Sequence, residues 1–185
     1  VSQQVMTTIT AVSSAVEGAG ADKASAFSLA LETVVEVVKE KAAAVQADPE
    51  ATVEVLDFSK AEEIQAVTAK VSTKIQETGI ATQADFEAVK ADLDVAVSNV
   101  NTKINAVTDL TSEASMAAFA VATELKSQVK AAAEATGDPS VAITFTDTAA
   151  IEAAQTEKAA EIKHIIELVI SSEVNNVAAG AIALI

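Results

Sequence analysis

Four aspartates recur at matched places in this chain and are its best candidates for chemistry: Asp48 and Asp57, with their counterparts Asp138 and Asp147. Carboxylates drawn from separate places suit calcium, which takes six to eight oxygen ligands. Within one extended segment Asp48 and Asp57 would stand roughly 25 to 30 Å apart, so the acids could meet only across the two copies. A plainer reading gives Asp48 and Asp138 a turn role before proline, and Asp57 and Asp147 a helix-capping role. The chain contains no Asp-x-Asp-x-Asp-Gly loop and no Gly-Gly-x-Gly-x-Asp nonapeptide to favour the metal. Calcium is thus the one cofactor to weigh, and otherwise none is expected.

The remaining chemistry-bearing residues point away from catalysis. His164 is the single histidine and corresponds to Lys74 in the other copy. Even with Glu157, Glu161 and Glu167 on the same helix, one imidazole makes a poor transition-metal site, and an exposed or flanking position is the ordinary expectation. With no cysteine, thiol catalysis, thiolate metal sites and disulfides are excluded. No Gly-x-Ser-x-Gly elbow or triad order marks a nucleophile, and Glu62 and Glu63 sit at a helix start, where the macrodipole accounts for them. The expectation is a protein that is not an enzyme, with no catalytic residue to name.

The matched aspartates belong to a larger internal repetition. Ala42-Ala43-Ala44 with Asp48-Pro49 aligns with Ala131-Ala132-Ala133 and Asp138-Pro139, and Val53, Val55 and Asp57 fall on Ile143, Phe145 and Asp147. Upstream, Val5, Thr7, Ile9 and Val12 match Val100, Thr102, Ile104 and Val107, and Phe27, Ala30 and Glu32 match Phe119, Ala122 and Glu124. Two copies follow, residues 1–92 and 93–185, forming one fused unit. Repetition of this kind marks stacked supersecondary units.

Periodicity assigns the elements that must position these residues. Val5, Ile9, Val12 and Val16 predict a helix ending near Gly18 and Gly20, and Phe27, Leu31, Val34, Val35, Val38, Ala42 and Val45 predict the buried face of a second, from about 22 to 46. Thr52–Leu56 alternates and is β-branched, which reads as a strand. Ser59-Lys60-Ala61-Glu62 fits a capping box that opens a third helix. Phe86, Val89, Leu93, Val97, Val100, Ile104 and Val107 recur near heptad spacing and predict a long helix, about 83–108, bridging the copies. The second copy adds a helix around 113–134, a strand Val141–Phe145, and a last helix carrying Ile151, Ala154, Ile162, Ile165, Ile166, Val169 and Ile170. The expected fold is mainly α with a minimal sheet (α+β): two pseudo-repeats of helix, helix, short strand, helix, packed as a bundle or repeat array. Short strands of this kind need a partner, and an open edge could propagate pairing into a filament.

Composition narrows the partners. Twelve cations, all lysine, stand against 27 acids for a net charge of −15, which opposes binding to nucleic acid or anionic lipid. Without arginine, the bidentate fork favoured for phosphate is missing. The apolar tail Val177–Ile185 is too short for the roughly 20 residues that cross a bilayer, so no transmembrane segment is expected and the tail completes a helix or begins another repeat. The chain opens at Val1 without a basic and apolar leader, so any targeting signal is expected to lie outside it.

The run Glu32–Ala42, followed by Asp48-Pro49 and a short strand, resembles the Ala/Val-rich helical regions of giant secreted bacterial surface proteins of the adhesin and extracellular-matrix type. The resemblance implies an extracellular or cell-surface bacterial location and a structural, spacer or assembly role among other copies or neighbouring repeats of a parent protein, as homo-oligomer or filament. It carries over no site residue. Two competing expectations stand beside it: a ligand-binding module with a cleft between the halves, and a coat for a lipid or polymer surface. The coat reading is opposed by acidic polar faces and scarce aromatics.

Overall fold

The computed structural model describes residues 2–47, 56–109 and 111–182, with side chains as far as Ser171. Among the described residues six helices follow in order: α1 (Ser2–Gly18), α2 (Lys23–Ala47), α3 (Ala61–Thr78), α4 (Gln83–Asn105), α5 (Glu113–Glu134) and α6 (Thr148–Ile182). α1 packs between α2 and α5, while α4 lies across α1, α3 and α5. α6 rests on α5 and on a single 3-10 turn, Thr144–Thr146. No helix among the described residues is long and apolar enough to cross a membrane.

The helix ends are set by local chemistry. Gly79 takes a left-handed conformation (φ +66°) that a side chain would disfavour, and its N–H donates to the Ile75 carbonyl to close α3. The Asp22 carboxylate accepts from the Ala24 and Ser25 amides and starts α2. α3 departs from its expected capping box. Lys60 takes the N-cap position with no side-chain capping bond to the helix amides, and the Ser59 amide and hydroxyl both donate to Asp57 instead.

Close packing explains which faces turn inward. α2 is apolar on both sides, and the buried side is Ala26, Leu29, Ala30, Thr33, Val34 and Val37. Phe27, Leu31, Val35 and Val38, expected in the core, are exposed. The small residues Ala26 and Ala30 allow a closer approach to α1 than the bulky stripe would, so they take the interface. α4 is enclosed from several sides, and its seam Phe86, Val89, Leu93, Val97, Val100 and Ile104 is buried together with the polar Asp94, Ser98 and Asn101. At the α1–α5 crossing, Gly18 has no room for a side chain: a Cβ there would collide with the Lys130 carbonyl and stand 2.8 Å from the Ala133 Cβ.

The expected sheet is not formed, and the α+β assignment gives way to an all-helical bundle. No strand occurs among the described residues. Val141–Phe145 is instead a bend running into the 3-10 turn, with Ile143 and Phe145 buried. The alternation reflects two apolar residues plugging the core, and side chains serve the backbone in place of a neighbouring strand. Gln128 Oε1 accepts from the Thr144 amide at 3.0 Å, and Asn99 Nδ2 donates to the carbonyls of Phe145 and Thr146 at 3.2 and 3.1 Å. In the other expected strand, Thr52–Leu56, residues 52–55 lie outside the described residues. Its continuation behaves like the second connector: Phe58 is buried, and its carbonyl accepts from Asn101 Nδ2 at 2.9 Å. Asn99 and Asn101, two residues apart on α4 and so on nearly opposite faces, thus hold the two connectors.

Candidate functional site

The repeated aspartates that the structure describes serve turns and a helix start. Asp57 Oδ1 accepts from the Ser59 amide (3.0 Å) and hydroxyl (2.7 Å), and Asp138 Oδ1 does the same with Ser140 (2.9 and 2.7 Å). These bonds to serine hold both carboxyls below their usual range. Asp147 Oδ1 accepts from the Ala149 amide at the start of α6. Asp48 lies outside the described residues. Among the described residues no three His, Asp or Glu side chains gather as metal ligands. His164 is exposed on α6. Asp109 repeats the geometry with Thr111 at 2.9 and 2.7 Å, a third instance that the repeat alignment did not select. The Asp-x-Ser/Thr spacing common to 57, 109 and 138 was the available signal, and it indicates turns.

The arrangement best suited to holding a ligand is a trough of about 660 Å³ above α1, between α2 and α5. α1 lays its floor with Thr10, Ser13, Ser14 and Glu17. Lys23 and Phe27 of α2 form one wall, and Thr123, Lys126, Ser127 and Lys130 of α5 form the other. The walls come from opposite halves of the chain, α2 from residues 1–92 and α5 from 93–185. Three lysines against one glutamate reverse the balance of the whole molecule, in which acids outnumber lysines 27 to 12.

Hydrogen bonding separates the structural groups in the trough from the uncommitted ones. Lys130 Nζ reaches Glu17 at 2.7 Å across the α1–α5 contact, which raises the ammonium above its ordinary pKa. The Thr10 and Ser14 hydroxyls donate back to carbonyls of α1, and Thr123 to that of Phe119. Among the described residues, the side chains of Lys23, Lys126, Ser13 and Ser127 have no hydrogen-bond or ion-pair partner. Ser13 is 6 % exposed as a residue while lining the trough, and its hydroxyl is open to solvent there: among the described residues the buried side-chain atoms without a partner are Gln4 Nε2 and Asn101 Oδ1. A smaller depression, lined by Met6, Thr7 and Phe119, shares Thr10, Thr123 and Lys126 with the trough and extends it toward the start of α1. The lysines carried no motif in sequence, because their convergence depends on α1 packing between two helices a hundred residues apart.

Compared with family models, curated proteins and solved structures, the chain matches none.

Proposed function

We propose that this chain is a non-enzymatic structural module that assembles with other copies or neighbouring repeats of a larger bacterial protein, at the cell surface or in an extracellular fibre. The observation that carries the reading is the far part of α6. Ile165, Leu168, Val169 and Ile170 are each 56–58 % exposed, and Ile166 lies beside them. Contiguous apolar surface of this kind is costly in water and typically marks an interaction face. The α2 stripe of Phe27, Leu31, Val35 and Val38 supplies a second exposed apolar surface. Contacts between unlike faces such as these are heterologous, and they extend into rings or filaments rather than closing as two-fold dimers. With no strand among the described residues, helix faces rather than strand edges carry this assembly.

The test is solution mass by light scattering during size exclusion, at several concentrations and with chelator or calcium. The expected result is a mass above the 18.8 kDa monomer that rises with concentration, and a return to monomer in the double variant Leu168→Glu, Val169→Glu. Those side chains are exposed, so the bundle should remain folded by circular dichroism. Monomer at every concentration would sink the reading. A mass that appears only with calcium would move the interface from the apolar faces to bridged carboxylates.

A further inference from the structure

We infer that the trough between α1, α2 and α5 is a binding site for an acidic oligosaccharide, a chain of sugar rings bearing carboxylates. Sign of charge comes first. Lys23 and Lys126 face the trough with no protein partner, and at physiological salt a Debye length of about 8 Å screens most of the distant acids that would repel an anion. Lysine ammonium is a point charge suited to single carboxylates.

Shape comes second. With its extension the trough follows α1 from Gln3 to Glu17, a rise of about 21 Å. A compact dicarboxylate would leave most of that length unfilled. Polarity comes third. Ser13 and the exposed Ser127 present hydroxyls that open to the trough without a protein partner, and they match a ligand rich in hydroxyls. Phe27 and Met6 offer apolar surface to the C–H faces of sugar rings. An apolar helix from another copy would cover the Ser13 hydroxyl without giving it a partner. An acidic peptide would pair with the lysines and could reach the hydroxyls through its backbone, and titration with polyglutamate separates it from a sugar chain. A carboxylated sugar chain uses the lysines, the hydroxyls and Phe27.

The inference goes beyond the assembly reading by treating the cleft between the halves as a ligand site; the two share Phe27, so an α6 face seated on the α2 stripe and a bound sugar chain would compete there. The experiment is calorimetric titration of the full chain at physiological salt with hexagalacturonate, its fully methyl-esterified form and polyglutamate. The expected result is binding of the acid hexamer about tenfold or more tighter than either control. Lys23→Glu with Lys126→Glu should cost about tenfold or more, and Ser13→Ala should weaken binding while leaving the circular dichroism melt unchanged. Equal binding of the esterified hexamer or of polyglutamate would overturn the ligand class while leaving the cleft as a site. No binding of any probe would overturn both. Unchanged affinity in the double lysine variant would place the sugar elsewhere and overturn the assignment to this trough.

Discussion

Between α3 and α4 the Asp94 carboxyl is 3 % exposed, and its hydrogen bond comes from the Thr68 hydroxyl at 2.8 Å. Burial is the main cause that pushes its pKa up to about 6. Glu87 adds to the rise, while Thr68 and Lys90 oppose it. Because the folded value lies above the unfolded one, protonation favours the fold. The cost of the buried charge is complete above about pH 6 and has vanished below about pH 4. Asp94→Asn keeps an acceptor for Thr68 and removes the charge. It should be more stable by about 2 to 3 kcal/mol near neutral pH, and chemical denaturation should show this site's stabilisation on acidification lost in the variant. Parallel pH profiles for the two proteins would refute that account. Asn99→Leu is expected to cost about 1 to 3 kcal/mol, since the Phe145 and Thr146 carbonyls would lose their donor. These roles were hidden in sequence. Asp94, Asn99 and Asn101 stand off the heptad seam, where polar residues normally meet solvent, and only the additional neighbours of α4 enclose them.

Helices were the legible elements, because spacing near 3.6 records one buried face regardless of partner. The positions around Val5–Val16 and Phe86–Ile104 show this, each falling within a helix of the structure. The expected face of α2 held at Val34 but was wrong at Phe27, Leu31, Val35 and Val38, because apolar content alone does not rank Ala26 and Ala30 above Phe27 and Leu31 at a close contact. The strand expected at Val141–Phe145 failed for a related reason: alternation reports burial of every second residue, and a core plug buries residues in the same order as a sheet. Phe145→Ala should therefore cost about 3 to 5 kcal/mol as a cavity mutation, with no accompanying loss of sheet signal by circular dichroism. Gly18→Ala tests the closest helix contact. Its methyl meets backbone at Lys130 rather than a movable side chain, so stability should fall by about 1 to 3 kcal/mol despite the roughly 1 kcal/mol gained in helix propensity. A neutral or raised melting temperature would show that α1 and α5 separate more easily than the packing implies.

Charge acts on the molecule as a whole. Interhelical pairs such as Lys70–Glu40 and Lys103–Glu152 are exposed and individually contribute little, whereas a net charge of −15 repels itself throughout. Sodium chloride should therefore raise the melting temperature, followed by circular dichroism because the chain has no tryptophan or tyrosine; a fall would mean that the pairs outweigh the repulsion. The order in which the chain can close follows from the place of α1. Its Thr8 hydroxyl accepts from Asn101, 93 residues away, and Glu17 pairs with Lys130, 113 residues away. Such distant pairings carry a loop-closure cost before they return any stabilisation. On the ribosome α1 precedes α4 and α5 and is enclosed only after both have emerged, so the nascent chain must carry an incompletely covered helix until then.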